Sequence, residues 1–254
     1  MNDKINILGV KVDMLNIQES ADRIMEFFEE DRLHKVYTPN SEIIMAAYKD
    51  EEFRDMLNDA DLLTADGIGV VYASRILKKP ISERAAGYDI ACEVLDRMKD
   101  TDKSVYLFGS KPGVAEQARE KLMEKYPGLR IAGTHNGYFK PEDEPAIVEE
   151  INATGADLLF VCLGAPKQEQ WLARNGRDLK VRVAMGIGGS LDVFAGTAER
   201  APEFYCKHGL EWFYRLMKEP WRAKRMLALP KFGLTVLFKG KKFTKEDKFG
   251  KNAL

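Results

Sequence analysis

The sequence predicts an α/β fold with a mainly parallel sheet, and two observations carry that expectation. Short, nearly continuous apolar runs end in glycine or a polar residue, as strands covered on both faces do. Between them lie stretches whose apolar residues recur at helical spacing. The composition, 45% apolar and 31% charged over 254 residues, can fill a sizeable core and excludes a disordered, collagen-like or disulfide-built chain.

Taken in order, residues 5–10 form the first apolar run and the first expected strand. Residues 17–30 then place Ala21, Ile24, Phe27 and Phe28 on one helical face. A strand at 35–38 leads to a helix at 41–49, and a strand at 62–64 to a helical segment at 67–77. Helix 88–98 precedes strand 105–108, which stops at Gly109; helix 113–125 precedes strand 130–133. Helix 142–152, strand 158–163 before Gly164, and strand 181–187 complete a Rossmann-like body. In such a fold the functional groups gather where strands end and loops begin.

Composition shifts after about Gly196, which suggests a catalytic body at 1–196 and an appendage at 197–254. From Lys207 to Leu254 there are thirteen Lys/Arg against four Asp/Glu, a net +9, while the preceding residues carry −10. Such asymmetry calls for an anionic partner, a membrane surface or a nucleic acid. Arg215, Lys218, Arg222 and Arg225 recur at steps of three and four; Leu210, Phe213, Met217 and Trp221 make a second stripe. Pro220 and Pro230 are expected to divide the appendage into short helices. It reads either as a docking helix with its charges in water or as an interfacial membrane anchor. At ~1 kcal/mol per basic residue, engaging half the excess gives roughly 4–5 kcal/mol, a reversible attachment. No run approaches the ~18 apolar residues of a membrane span, and the N-terminal residues do not read as a secretory signal, so a cytoplasmic protein is expected. Cys92, Cys162 and Cys206 lack a C-x-x-C and read as reduced, mostly buried thiols; Cys206-x-His208 is too little for zinc.

Four segments follow expected strands and join small residues to a polar side chain: those around Thr38-Pro39-Asn40, Ala65-Asp66-Gly67, Pro166-Lys167-Gln168 and Gly188-Gly189-Ser190. Their glycines admit close backbone approach and expose N–H groups to phosphate. Asp66 is placed either as a general base or as the N-cap of the segment after it. The glycine runs match a dinucleotide fingerprint poorly, and neither a Walker-type loop nor a G-x-S-x-G elbow occurs. Asp100-x-Asp102 precedes a strand and reads as a solvated turn, leaving no metal site. Without a metal, a diphosphate leaving group needs Arg/Lys donors; Arg84 is a candidate, its other reading being a surface ion pair.

The ordered set of motifs from Thr38-Pro-Asn40 and Ala65-Asp66-Gly-Ile-Gly69 through Arg84-x-x-Gly87-x-Asp89, Phe108-Gly109, Gly137-Tyr138-Phe139, Gly164-x-Pro166-Lys167-Gln168-Glu169, Gly188-Gly-Ser-x-Asp192, Arg200-Ala-Pro202, Glu211-Trp212-x-x-Arg215 and Glu219-Pro-x-Arg222-x-x-Arg225 resembles the WecG/TagA/CpsF glycosyltransferases. The resemblance runs from about Ile5 to Arg225 and is nearest to the TagA type. It implies inverting, cofactor-free and metal-independent transfer of N-acetylmannosamine from its UDP-sugar to undecaprenyl-diphosphate-linked N-acetylglucosamine in wall teichoic acid synthesis, forming a β-1,4 bond. It implies further that Asp66 deprotonates the acceptor hydroxyl, and that Thr38 and Gln168 line the reaction centre. Asn40 and Asp192 hold the nucleotide, Gly109 and Gly188 belong to the substrate site, and Arg84 stands near the diphosphate. Arg215, Arg222 and Arg225 neutralise phosphate charge on the lipid carrier or the leaving UDP. A homo-oligomer peripheral to the inner face of the cell membrane, binding no nucleic acid, is the expected form. The alternatives are a transferase using another UDP-sugar such as the N-acetylmannosamine uronic acid, a non-catalytic α/β module whose tail binds nucleic acid, and a soluble oxidoreductase. His135 and Lys167 receive no role.

Overall fold

The protein, seen in a computed structural model, is described at residues 3–218, 220 and 228–250, with the backbone alone at 207, 215 and 245–250. It opens with a hairpin, β1 (Lys4–Ile7) and β2 (Val10–Asp13), followed by α1 (Ile17–Phe27). Then come β3 (His34–Tyr37), α2 (Ser41–Lys49), α3 (Glu51–Asn58), β4 (Leu62–Leu63), α4 (Ile68–Ile76) and α5 (Gly87–Met98). The second half runs β5 (Ser104–Gly109), α6 (Val114–Lys125), β6 (Arg130–His135), α7 (Glu144–Ala153), β7 (Leu158–Cys162), α8 (Lys167–Asn175), β8 (Val183–Gly186) and α9 (Ser190–Phe194). Helices α10 (Glu203–Lys207), α11 (Glu211–Lys218) and α12 (Ala228–Gly250) close the chain.

Six strands form one sheet in the order β4-β3-β8-β7-β5-β6, and every neighbouring pair is parallel. Alternation along each strand serves two buried layers. On β5, Tyr106 and Phe108 face a core shared with α2, α3, α7, α8 and the hairpin; Val105 and Leu107 face α1, α5, α6 and α9. Parallel strands put all their C-terminal ends at one edge, and the chain departs in opposite directions after β5 and β7, the arrangement that opens a crevice at such an edge.

Three expectations are corrected. The single strand at 5–10 is a hairpin: Leu8 (φ 55°) and Gly9 (φ 97°) form a tight turn, and Asn6 Oδ1 accepts the Gly9 N–H at 2.8 Å. An apolar Leu8 that is fully buried hid the turn. The helix at Pro230 is not short: Pro230 lies in the first turn of α12, where its missing N–H costs no hydrogen bond, and the helix runs for 23 residues. That helix packs Phe232 and Val236 into the same core as Ile5 and Ile7. Of the three free cysteines, Cys162 alone is buried.

Glycine is required at the end of β5. Gly109 has φ 130°, and a Cβ there would stand 2.5 Å from the Cys162 carbonyl carbon. Gly109→Ala is expected to lower unfolding free energy by about 3 kcal/mol, combining overpacking and backbone strain, as read from urea denaturation.

Candidate active site

The C-terminal edge collects the sequence-predicted residues. Thr38 follows β3, nearly buried, and its Oγ1 donates to the Gly186 carbonyl at 3.2 Å. Gly87, the first residue of α5, must lack a Cβ because one would meet Thr38 Oγ1 at 2.9 Å. Asn40 caps α2, its Oδ1 accepting from the N–H groups of Glu42 (2.9 Å) and Ile43 (3.1 Å). Gln168, at the start of α8, is 2% exposed and its Oε1 accepts the Gly188 N–H at 3.1 Å. That N–H therefore serves the protein. Across the crevice, Ser110 follows Gly109 in the left-handed region (φ 58°) and donates from Oγ to Asp192 Oδ2 at 2.8 Å. Ser110 escaped the sequence reading, because a serine does not itself announce a positive φ.

Asp66 stands half-buried in the turn after β4. It is not the N-cap of α4: Gly67 occupies that position, and no side chain caps the helix. Arg84 is no surface ion pair either. Its side chain is 15% exposed, and the guanidinium contacts Asp89 Oδ2 at 3.0 Å and bonds Glu211 of α11. Burial works against the Arg84 charge, yet Glu211, Asp66 and Asp89 outweigh it and hold the group above its ordinary pKa. Arg200 shares the same Asp89.

The C-terminal helices of the same chain lie against this turn. A Cβ on Gly209, just before α11, would meet Ile68 Cγ1 at 2.7 Å, and one on Gly69 would meet Leu229 Cδ2 of α12 at 3.6 Å. Arg222 and Arg225 lie outside the described residues, as does the side chain of Arg215. Asp100 and Asp102 are exposed in the turn before β5, at the opposite edge of the sheet. Among the described residues no group of three His, Cys, Asp or Glu comes together to hold a metal. Thr38, Asn40, Asp66, Arg84 and Gln168 thus share one rim, with Asp192 on its far side.

The family model described as "Glycosyl transferase WecG/TagA/CpsF family" matches residues 5–246. The chain belongs to the WecG/TagA/CpsF glycosyltransferase family. Its similarity to individual family members is substantial. The N-acetylglucosaminyldiphosphoundecaprenol N-acetyl-beta-D-mannosaminyltransferase of Bacillus subtilis (strain 168) is 40% identical over 202 residues, 80% of this chain and 78% of that protein. The enzyme of the same name from Bacillus spizizenii is 38% identical over the same length. That from Staphylococcus aureus (strain MRSA252) is 35% identical over 231 residues, 90% of each chain. A WecG/TagA/CpsF protein is an enzyme, which sets aside the non-catalytic module and the oxidoreductase.

The cap on α2 separates structure from chemistry at Asn40. Asn40→Ala is expected to cost about 1 kcal/mol in denaturant unfolding, and Asn40→Asp to restore it, since a carboxylate caps equally well.

Proposed function

We propose that this protein transfers N-acetylmannosamine from UDP to the N-acetylglucosamine of a polyprenyl diphosphate, with inversion; its relatives' names give the same sugar and the same lipid-linked acceptor. The observation that carries the reading is a carboxylate, Asp66, acting on a half-buried arginine, Arg84, at the rim where the parallel strands end. The Asp66 carboxylate takes the proton of the acceptor hydroxyl as its oxygen bonds to the sugar's anomeric carbon. The bond from that carbon to UDP breaks, and its electron pair leaves on the diphosphate. Arg84, with Arg215, Arg222 and Arg225, offsets the growing charge in place of a metal. Thr38 and Gln168 line the reaction centre; Asn40, Asp192, Gly109 and Gly188 hold the donor. No cofactor takes part.

The appendage at 197–254 carries the enzyme to its lipid-bound acceptor. Among the described residues no helix is long and apolar enough to cross a membrane. Helix α12 instead has two faces. Phe232, Val236 and Gly240 turn inward, while Leu234, Leu237 and Phe238 are exposed with Lys231, Lys239, Lys241 and Lys242. Exposed Trp212, Phe213 and Met217 on α11 add apolar surface. Aromatic and aliphatic groups among lysines suit the headgroup zone of an anionic leaflet better than a nucleic acid. Peripheral binding at the inner face of the cell membrane follows, with a homo-oligomer as the working form.

Incubation with a polyprenyl-diphosphate-linked N-acetylglucosamine and a panel of UDP-sugars, in the presence of chelator, is expected to yield one added N-acetylmannosamine by mass spectrometry. A uronic acid product would name the sister donor, and no product from any donor would sink the reading. Asp66→Asn is expected to stay folded and lose about a hundredfold or more in turnover. Flotation with anionic vesicles is expected to carry the protein. Removing Lys241 and Lys242 together by alanine should weaken it about thirtyfold, at ~1 kcal/mol each. Tight DNA binding without vesicle binding would reverse this part.

A further inference from the structure

Glu169 is a buried acid that the transfer step leaves without a task. It is 1% exposed in the first turn of α8, whose N-cap is Pro166. Its Oε1 accepts from Gln168 Nε2 at 2.9 Å, and its Oε2 has no hydrogen-bond partner. Burial pushes the Glu169 carboxyl above the usual carboxylate range, with the Gln168 bond and, less strongly, the Glu169 backbone N–H opposing. An apolar side chain would fill that position without this cost. The compensating contribution is found one residue away.

A glutamine amide can be turned either way, and its partners decide which. Here Gly188 presents an N–H to one end of the Gln168 amide and Glu169 a carboxylate to the other. The Gln168 oxygen must therefore face Gly188 and its nitrogen Glu169. Nε2 also lies against Gly186, where a Cβ would stand 2.9 Å away, and the Gly186 carbonyl receives Thr38. One carboxylate thus orders a chain of contacts running to Thr38 on one side and, through Gly188, to the loop before Asp192 on the other.

We propose that Glu169 is a positioning residue for donor binding: its Oε1 locks the Gln168 amide so that the Gly188 loop is held in the shape the nucleotide requires. This rests on the transferase reading above, because the ligand tested is UDP, the expected leaving group. What matters is an acceptor at the right reach, and the charge is incidental.

Three variants separate these. Glu169→Gln keeps an acceptor oxygen at the same reach without charge. Glu169→Asp keeps the charge and draws the oxygen back by one methylene. Glu169→Leu removes the acceptor. UDP binding by calorimetry is expected to be unchanged in E169Q and weakened about tenfold in E169D and E169L, the size of one lost hydrogen bond. In transfer assays the donor KM should rise by the same factor with the acceptor KM unmoved, a split that general destabilisation would not produce. Either truncation that folds suffices. Wild-type UDP affinity in the folded truncations, or a defect in E169Q equal to theirs, overturns the proposal. Failure of the unaltered protein to bind UDP would instead count against the function reading.

Discussion

The site exists because β8 is inserted between β3 and β7, hydrogen-bonded to both. Its four residues are buried and pair His34–Tyr37 on one side and Leu158–Val161 on the other, joining segments separated by more than a hundred residues. The register sets Tyr37, Gly186 and Val161 side by side. The next residues out, Thr38 and the 187–190 loop, then emerge together, with Gln168 beneath them. A slip of one residue would turn Val183 and Met185 to the wrong layer, so burial on both faces fixes this alignment. Site geometry is thus a consequence of core packing.

Electrostatics at the rim are less even than the net charge implies. Asp66, Asp89 and Glu211 act on Arg84, and Asp89 also pairs with Arg200. Arg84 is already neutralised within the chain, partly by an acid on α11, so service to a diphosphate requires a contact to be exchanged. The strong desolvation of the group makes that exchange meaningful: a charge kept largely from water interacts more strongly with whichever anion holds it. The C-terminal helices therefore take part in the electrostatics of the rim even where they touch only loops.

Much of this was legible in sequence because burial on both faces of a sheet writes itself as apolar runs. Strands at 105–108 and 158–163, and the helices at 41–49 and 88–98, were read within a residue or so for that reason. The rim residues were legible as small-polar clusters after those runs. What escaped were features decided by distant partners or by backbone signs. Leu8 and Ser110 take positive φ although neither is a glycine. Helix α3, with a mean composition rich in Asp and Glu, buries only Phe53 and Leu57 and so left a weak periodic trace. The bond between Arg84 and Glu211 spans 127 positions, which no local pattern encodes. The function itself was read from ordered motifs, whose meaning lies in resemblance and not in spacing.

Four of the rim residues are held in internal hydrogen bonds. Asn40 caps α2, Gln168 bridges Glu169 and the Gly188 N–H, Asp192 accepts from Ser110, and Arg84 binds α11. Truncating any of them removes a structural bond together with whatever the substrate would have gained. A lost activity at these positions is therefore ambiguous between binding and architecture, because an unsatisfied buried partner relaxes the rim even when no ligand is present. The ambiguity lifts only for replacements that keep the internal bond and alter the face offered to solvent, as a carboxylate does at a helix cap. On the proposed reading, double use of side chains also lets few polar residues suffice: each is held rigid by an internal partner beforehand, so the ordering entropy is met during folding, before any ligand arrives.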